Sequence, residues 1–328
     1  MYRKLIKSLI VSACVALTTV AYGSSCKQKI INETDDTLVC FDFFGQKTVL
    51  PKRPQRVVIG YTSMVNVWYM AGGKALAIPS NREMLDKNLP PAARNLPRLG
   101  SFANLNIEKI IALKPDLVIL SAFSGSCRAG GKAALLNAAG IKTLSLYYGN
   151  YSGFIDLLDI FCRLNGNSID QNKTAKEITE KVQKVIAKTA KLKSPRFLSI
   201  FYSGKGLSVE LNRAYTAQIA KMLNATNIAQ KFGNKRLGSR IPFSMEKLVL
   251  EDPDVILFTT MGDSKKYQAR LKKSILANPA WQNMRAVKQG NVHFLPNNLF
   301  LYKANERYPQ AFKYLAALLY PKQNFENK

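Results

Sequence analysis

The chain predicts an α/β fold: two similar α/β lobes with parallel-type sheets, joined by a single long helix, with a ligand cleft between the lobes. A duplication is the first reason. Asn106–Asp116 running into Leu117–Leu120 returns as Ser244–Asp254 running into Val255–Phe258, an offset of 138 residues measured from Glu108 to Glu246. In both copies a Glu opens a short helical pattern, Pro-Asp stops it, and an apolar run too short for a helix follows. Those runs do not alternate with polar residues, as expected of parallel strands covered on both faces. Between the copies lies one long amphipathic stretch. So long a period describes two lobes rather than a stack of small repeats, and facing lobes enclose a cleft.

Residues 1–23 read as a signal peptide. Arg3, Lys4 and Lys7 precede the apolar stretch Leu9–Ala21, and Ala21 and Gly23 supply small residues for cleavage before Ser24. No other stretch reaches membrane-spanning length, so the mature chain is expected in the periplasm. Lipid anchoring is the competing reading: Val11-Ser12-Ala13-Cys14 fits a lipobox but apolar sequence continues, and Gly23-Ser24-Ser25-Cys26 lacks the aliphatic residue. Residues 24–53 form an N-terminal segment. The first lobe, 54–167, opens with Pro54-Gln55-Arg56 before Val57–Gly60, holds Trp68 and Tyr69 in a helix over Val65–Ala71, and places Leu135–Gly140 before a strand over Ile141–Leu146. In 168–192, Ala175, Ile178, Val182, Val185 and Thr189 fall at helical spacing behind a Ser168/Gln171 capping box. A helix of ~25 residues there runs roughly 37 Å. The second lobe, 193–328, opens with Pro195-Arg196 before Phe197–Ile200 and repeats the helix-to-strand pattern at Met284–Gly290 and Asn291–Pro296.

At 328 residues and 47% hydrophobic content the chain suits two packed cores. The formal charge of +27 comes without any Lys/Arg block of five and without a nucleic-acid motif; it reads first as a generally basic exported protein, and as a secondary, compatible reading the excess attracts an anionic ligand into the cleft. Without Cys14 the cysteines form an even set, Cys26, Cys40, Cys127 and Cys162, and export favours disulfides; Cys26–Cys40 and Cys127–Cys162 are the expected pairs among three possible pairings. The one histidine, His293, sits within a strand, so no multi-histidine metal site can be built. No Gly-x-Gly-x-x-Gly, Gly-x4-Gly-Lys-Ser/Thr or Gly-x-Ser-x-Gly pattern is present, and the chain is not expected to be an enzyme; an exported metallochelatase-like enzyme is the rival of another class.

The repeated Glu-Lys-x5-Pro-Asp unit, the single linker helix and the tail Asn278–Pro296 together resemble the ABC-transporter substrate-binding proteins of the iron-siderophore, haem and vitamin B12 class. Asp42–Pro51 resembles the opening strand pair of that class, and Leu318–Pro321 its terminal helix end. The resemblance implies no catalysis and no intrinsic cofactor. It implies a monomer that captures a small metal chelate, a ferric siderophore first and haem or a corrinoid as the alternative, and delivers it to an ABC permease dimer with its ATPase. It also implies that an acid on each lobe engages the permease, and the matching positions are Glu108 and Glu246; either one is also a helix N-terminal acid that offsets the macrodipole.

Ligands of open parallel sheets bind beyond the carboxyl ends of the strands. The loops at those positions offer Tyr61, Phe123, Arg128, Tyr147 and Tyr148 in the first lobe, and Tyr202, Lys205, Met261, Tyr302, Lys303 and Arg307 in the second, with Arg82 and Arg213 further into such loops. Arg and Lys answer the charge of a carboxylate or catecholate, and Tyr stacks on flat faces or donates a phenolate to Fe(III). Lys303 and Arg307 stand four apart; a helix starting there puts both cations on one face.

Overall fold

A computed structural model describes residues 28–80, 88–122, 131–233, 238–261, 264–274 and 277–325. The expected signal peptide, Cys26, Arg82, Phe123, Cys127 and Arg128 lie outside them. The chain opens with an antiparallel meander, β1 (Lys29–Glu33), β2 (Thr37–Phe41) and β3 (Lys47–Pro51). It leans on the first lobe through Leu38, Cys40 and Leu50, all fully buried, and through a hydrogen bond from Phe43 N–H to the Ser145 carbonyl.

The first lobe is built on β4 (Val57–Ile59), β7 (Leu117–Ser121) and β8 (Lys142–Leu146), parallel and adjacent in that order, with a small hairpin of β5 (Gly100–Ser101) and β6 (Asn104–Leu105) beside them. Every residue of β4 and β7 is buried, so the unbroken apolar runs are strands sandwiched between helices. The helix Thr62–Met70 buries Trp68, whose indole N–H donates to the Lys74 carbonyl at 2.9 Å while its ring meets Phe161 edge-on.

The second lobe departs from the expected all-parallel sheet. Its order is β12 (Arg240–Pro242), β10 (Gly206–Glu210), β9 (Arg196–Ser203), β13 (Val255–Thr260), β14 (Val292–Phe294), with β11 (Thr226–Asn227) also on β9. β9, β13 and β14 are mutually parallel, but β10 returns antiparallel. The cause is local: Gly204-Lys205 is a two-residue connection, which only an antiparallel pair accepts, and Gly206 takes φ +110°.

The duplication extends to the hydrogen bonds. Asp116 Oδ2 accepts from the backbone N–H of Gln55 and Arg56 at the start of β4, and Asp254 Oδ2 accepts from Arg196 N–H at the start of β9. The Arg56 and Arg196 guanidiniums reach back to the carbonyls of Leu113, Lys114 and Glu251 at the end of the repeated helix. The residue before each Pro, Lys114 or Asp252, has a left-handed φ of 45° or 39°. Pro-Asp therefore ends one helix and staples two strands at the same turn.

The linker is shorter than expected. Ser168–Gln171 does form its capping turn, with Ser168 N–H donating to Gln171 Oε1, but that turn is a 3-10 helix, Ile169–Gln171. Asn172 then caps a new α-helix, Lys173–Thr189, of 17 residues and about 25 Å. Its buried face is Ala175, Ile178, Val182, Val185 and Thr189. The C-terminal helix Tyr308–Leu319 packs along it, and a single apolar cluster runs from Leu38 and Val57 through Val182 to Ala217 and Phe312. The lobes are thus joined by solid packing as well as by one helix.

Cys40 and Cys162 are buried and, among the described residues, unpaired; their expected partners, Cys26 and Cys127, lie outside those residues. Each side chain is fully enclosed, Cys40 in the meander's inner face and Cys162 on the helix Tyr151–Leu164, where Asn172 Nδ2 lies 3.5 Å from its sulfur. Burial pushes both thiols up to about 11. Iodoacetamide at pH 8 is expected to leave the Cys40 and Cys162 peptides unmodified in the native protein and to modify both after denaturation; peptide mass mapping reads the difference.

Candidate functional site

Short loops follow the strands, and a few of their side chains meet across the lobes, as Lys303 does with Tyr148 and Asn305 with Ser63. In the first lobe Tyr61 follows β4 and Tyr147 follows β8. Tyr61 meets Phe102 edge-on at 5.5 Å between centroids, and Tyr147 meets Phe43 at 5.3 Å, which meets Phe44 at 5.6 Å. Two aromatic groups result, Phe44–Phe43–Tyr147 and Tyr61–Phe102, with Phe44 42% and Phe102 37% exposed. Asp42 fixes Phe43 and Phe44 by accepting the N–H groups of Phe44 and Gln46 in a tight turn.

Sequence reasoning found Tyr61 and Tyr147 and missed Phe43, Phe44 and Phe102. The meander's docking is non-local, and Phe102 sits on a hairpin of only two paired positions. Burial pushes the Tyr61 and Tyr147 phenols up, and Tyr147 adds to the shift on Tyr61. Burial thus favours the neutral phenol at each, the form that stacks on a flat face.

Tyr148 is not at the cleft surface. It is buried, its ring packs under the floor, and its hydroxyl donates to Asn305 Oδ1 at 2.7 Å. Asn305 Nδ2 donates in turn to the Ser63 carbonyl at 2.9 Å, so this pair ties the second lobe's last connection to the first lobe. Asn305 has φ 51°, a left-handed value that Asn tolerates.

Lys303 stands above this floor. Its ammonium lies 4.9 Å from the Tyr215 ring centroid and 5.6 Å from that of Tyr148, one ring from each lobe. Among the described residues no carboxylate pairs with it, and burial pushes the ammonium down to about 8. The rings hold the cation by their negative faces, while its donors remain for an anion.

Lys303 and Arg307 do not share a face. The chain turns left-handed at Asn305 before the 3-10 turn Asn305–Arg307, so the four-residue spacing is not helical. Arg307 instead donates to Asn88 Oδ1 at 2.9 Å, beside the helix Thr62–Met70. Lys205 sits exposed at the tip of the β9–β10 hairpin, and Arg213 is exposed beyond the other end of β10. Of these two, Arg213 adjoins Tyr215 and so the residues around Lys303. Tyr202 lies near the end of β9, edge-on to Tyr267 at 5.1 Å, with Met261, 51% exposed, hydrogen-bonded to its carbonyl. Tyr302 is half-buried next to Lys303.

Glu108 and Glu246 lie in the first turns of Ile107–Ala112 and Met245–Val249. Both are exposed, and among the described residues neither forms an ion pair. His293 is on β14, half-buried, its imidazole held down by burial. The described residues contain no cluster of His, Cys, Asp or Glu able to hold a metal ion.

Comparison with known proteins gives the family. The periplasmic binding protein family matches residues 57–299. The Fe(3+)-citrate-binding protein YfmC of Bacillus subtilis is 25% identical over 88% of this chain and 87% of its own length. The ferric-anguibactin-binding protein FatB of Vibrio anguillarum is 26% identical over 90% of this chain and 91% of its own. An ABC transporter substrate-binding protein from Listeria monocytogenes superposes with a TM-score of 0.68 at 21% identity, covering 82% of this chain and 100% of that one. The Staphylococcus aureus IsdE complex with heme does so with 0.65 at 19%, covering 81% and 98%. The chain belongs to the periplasmic binding protein family, and it is a substrate-binding protein of the ABC-importer type rather than an enzyme.

Proposed function

We propose that the cleft captures an anionic Fe(III) chelate, a ferric siderophore foremost, outside the cytoplasmic membrane and delivers it to an ABC permease through Glu108 and Glu246. The observation that carries this reading is the Lys303 ammonium, held on two tyrosine rings with no carboxylate beside it. A cation kept partly from water without a counter-ion is costly unless a ligand supplies one. The aromatic groups Phe44–Phe43–Tyr147 and Tyr61–Phe102 add flat apolar faces, and the relatives named for Fe(3+)-citrate and ferric anguibactin support iron chelates as the class. Among the described residues no helix is long and apolar enough to cross a membrane.

Haem is the second reading, supported by the exposed Met261 beside Tyr202 and by the similarity to IsdE. Absorption and mass spectra of protein isolated with its ligand separate the two. The expected result is one iron per chain with a broad visible charge-transfer band; a sharp Soret band supports haem, and a corrinoid spectrum overturns both.

A further inference from the structure

Between the end of the helix Thr62–Met70 and the 3-10 turn Asn305–Arg307 lies an open cavity of about 490 Å³ that none of Tyr61, Tyr147 or Lys303 lines. One wall is the later half of the helix Thr62–Met70, with Tyr69 and Met70; the second is the turn carrying Asn88 and Arg94; the third is Glu306 and Arg307, from the other lobe. The walls combine apolar surface with two guanidiniums, a composition typical of ligand pockets.

The Arg307 guanidinium is the informative group. Nη1 is taken by Asn88 Oδ1, whereas Nε is buried and makes no hydrogen bond. The Glu306 carboxylate stands 3.7 Å from Nε, near enough to attract it and too far to accept from it. A buried donor without an acceptor is rare in native proteins. The Nε–Nη2 edge of an arginine presents two parallel N–H groups, the spacing that a carboxylate accepts with both oxygens. Glu306 is exposed and can swing away to admit it.

We propose that this cavity binds a small organic monocarboxylate, its carboxylate on the free edge of Arg307 and its flat apolar body against Tyr69 and Met70. Such a ligand joins the second lobe to the first two residues from Asn305, where the lobes are already tied. The site does not depend on what the cleft binds.

Benzoate is the probe and benzamide its neutral counterpart, titrated into the full mature protein by NMR or calorimetry. Benzoate should bind saturably, and benzamide at least about tenfold more weakly, as expected on losing a charged hydrogen bond. Arg307→Met should lose about tenfold or more, Glu306→Gln should gain affinity because a competing carboxylate is gone, and Lys303→Met should change nothing. Benzoate and benzamide binding equally to the wild type overturns the proposal without any variant, even if Arg307→Met fails to fold. So does undiminished binding by a folded Arg307→Met, weaker binding by Glu306→Gln, loss of benzoate on Lys303→Met, or no saturation by about 10 mM.

Discussion

Reversing both Glu108 and Glu246 to Lys is expected to abolish uptake while leaving ligand affinity within about twofold of wild type. The two carboxylates occupy equivalent positions of a duplicated unit, one on each lobe, exposed and without ion pairs among the described residues. On the proposed docking to a permease dimer, each of these two acids meets one subunit. Placing cations there sets like charges opposite each other, which costs several kcal/mol in docking. As helix N-terminal acids alone they offset the macrodipole by about 0.3–1 kcal/mol each, so reversal should shift folding stability only slightly. Vesicles carrying the cognate permease and ATPase, supplied with each variant, check this. Each single reversal should transport at an intermediate rate, and normal transport by the double variant would refute the docking role.

Lys303→Met is expected to weaken binding of an anionic chelate by roughly ten- to more than hundredfold, the cost of about 1.5–3 kcal/mol for a charged hydrogen bond. The effect should depend on pH. An anion beside the ammonium raises its pKa above the free protein's value of about 8. Binding then takes up a proton once the pH passes about 8, and wild-type affinity should fall as the pH rises further, while the variant's stays flat. Folding has the opposite dependence. The native pKa lies below the ordinary 10.5, so above pH about 8 the unfolded chain holds the proton that the native chain has released. This group therefore contributes stability that grows from pH about 8 towards 10.5, and Lys303→Met should remove that rise. Denaturant titrations at pH 7 and pH 9.5, compared between the two proteins, read it.

What the sequence revealed was set by local chemistry. Pro115-Asp116 and Pro253-Asp254 announce a helix stop and a strand start within a few residues, and in the structure the same aspartates bind the neighbouring strands. The linker's buried face was legible as a helical stripe, yet its start was not: Ser168 opens a 3-10 turn, and Asn172, equally able to cap, opens the α-helix. The antiparallel return of β10 follows from Gly204-Lys205, a turn visible as a Gly-rich run but not as a hairpin.

At the proposed site, Tyr61 and Tyr147 follow strands β4 and β8 closely, and Lys303 comes after β14 and a short helix. The direction of each side chain was not legible. Tyr148, next to Tyr147, points inward to Asn305, and Arg307 is carried out of line with Lys303 by the left-handed Asn305. Phe43 and Phe44 reach Tyr147 through a backbone bond to Ser145 that no local pattern foretells.

The most direct test of an anion-capturing cleft is a calorimetric titration of the mature wild-type and Lys303→Met proteins with ferric tris-catecholate at pH 7 and pH 9.5. One-to-one binding with a dissociation constant of about a micromolar or tighter at pH 7, weakened at pH 9.5 in the wild type and weak at both in the variant, is the predicted result. Equal affinity of the two proteins at both pH values would contradict it.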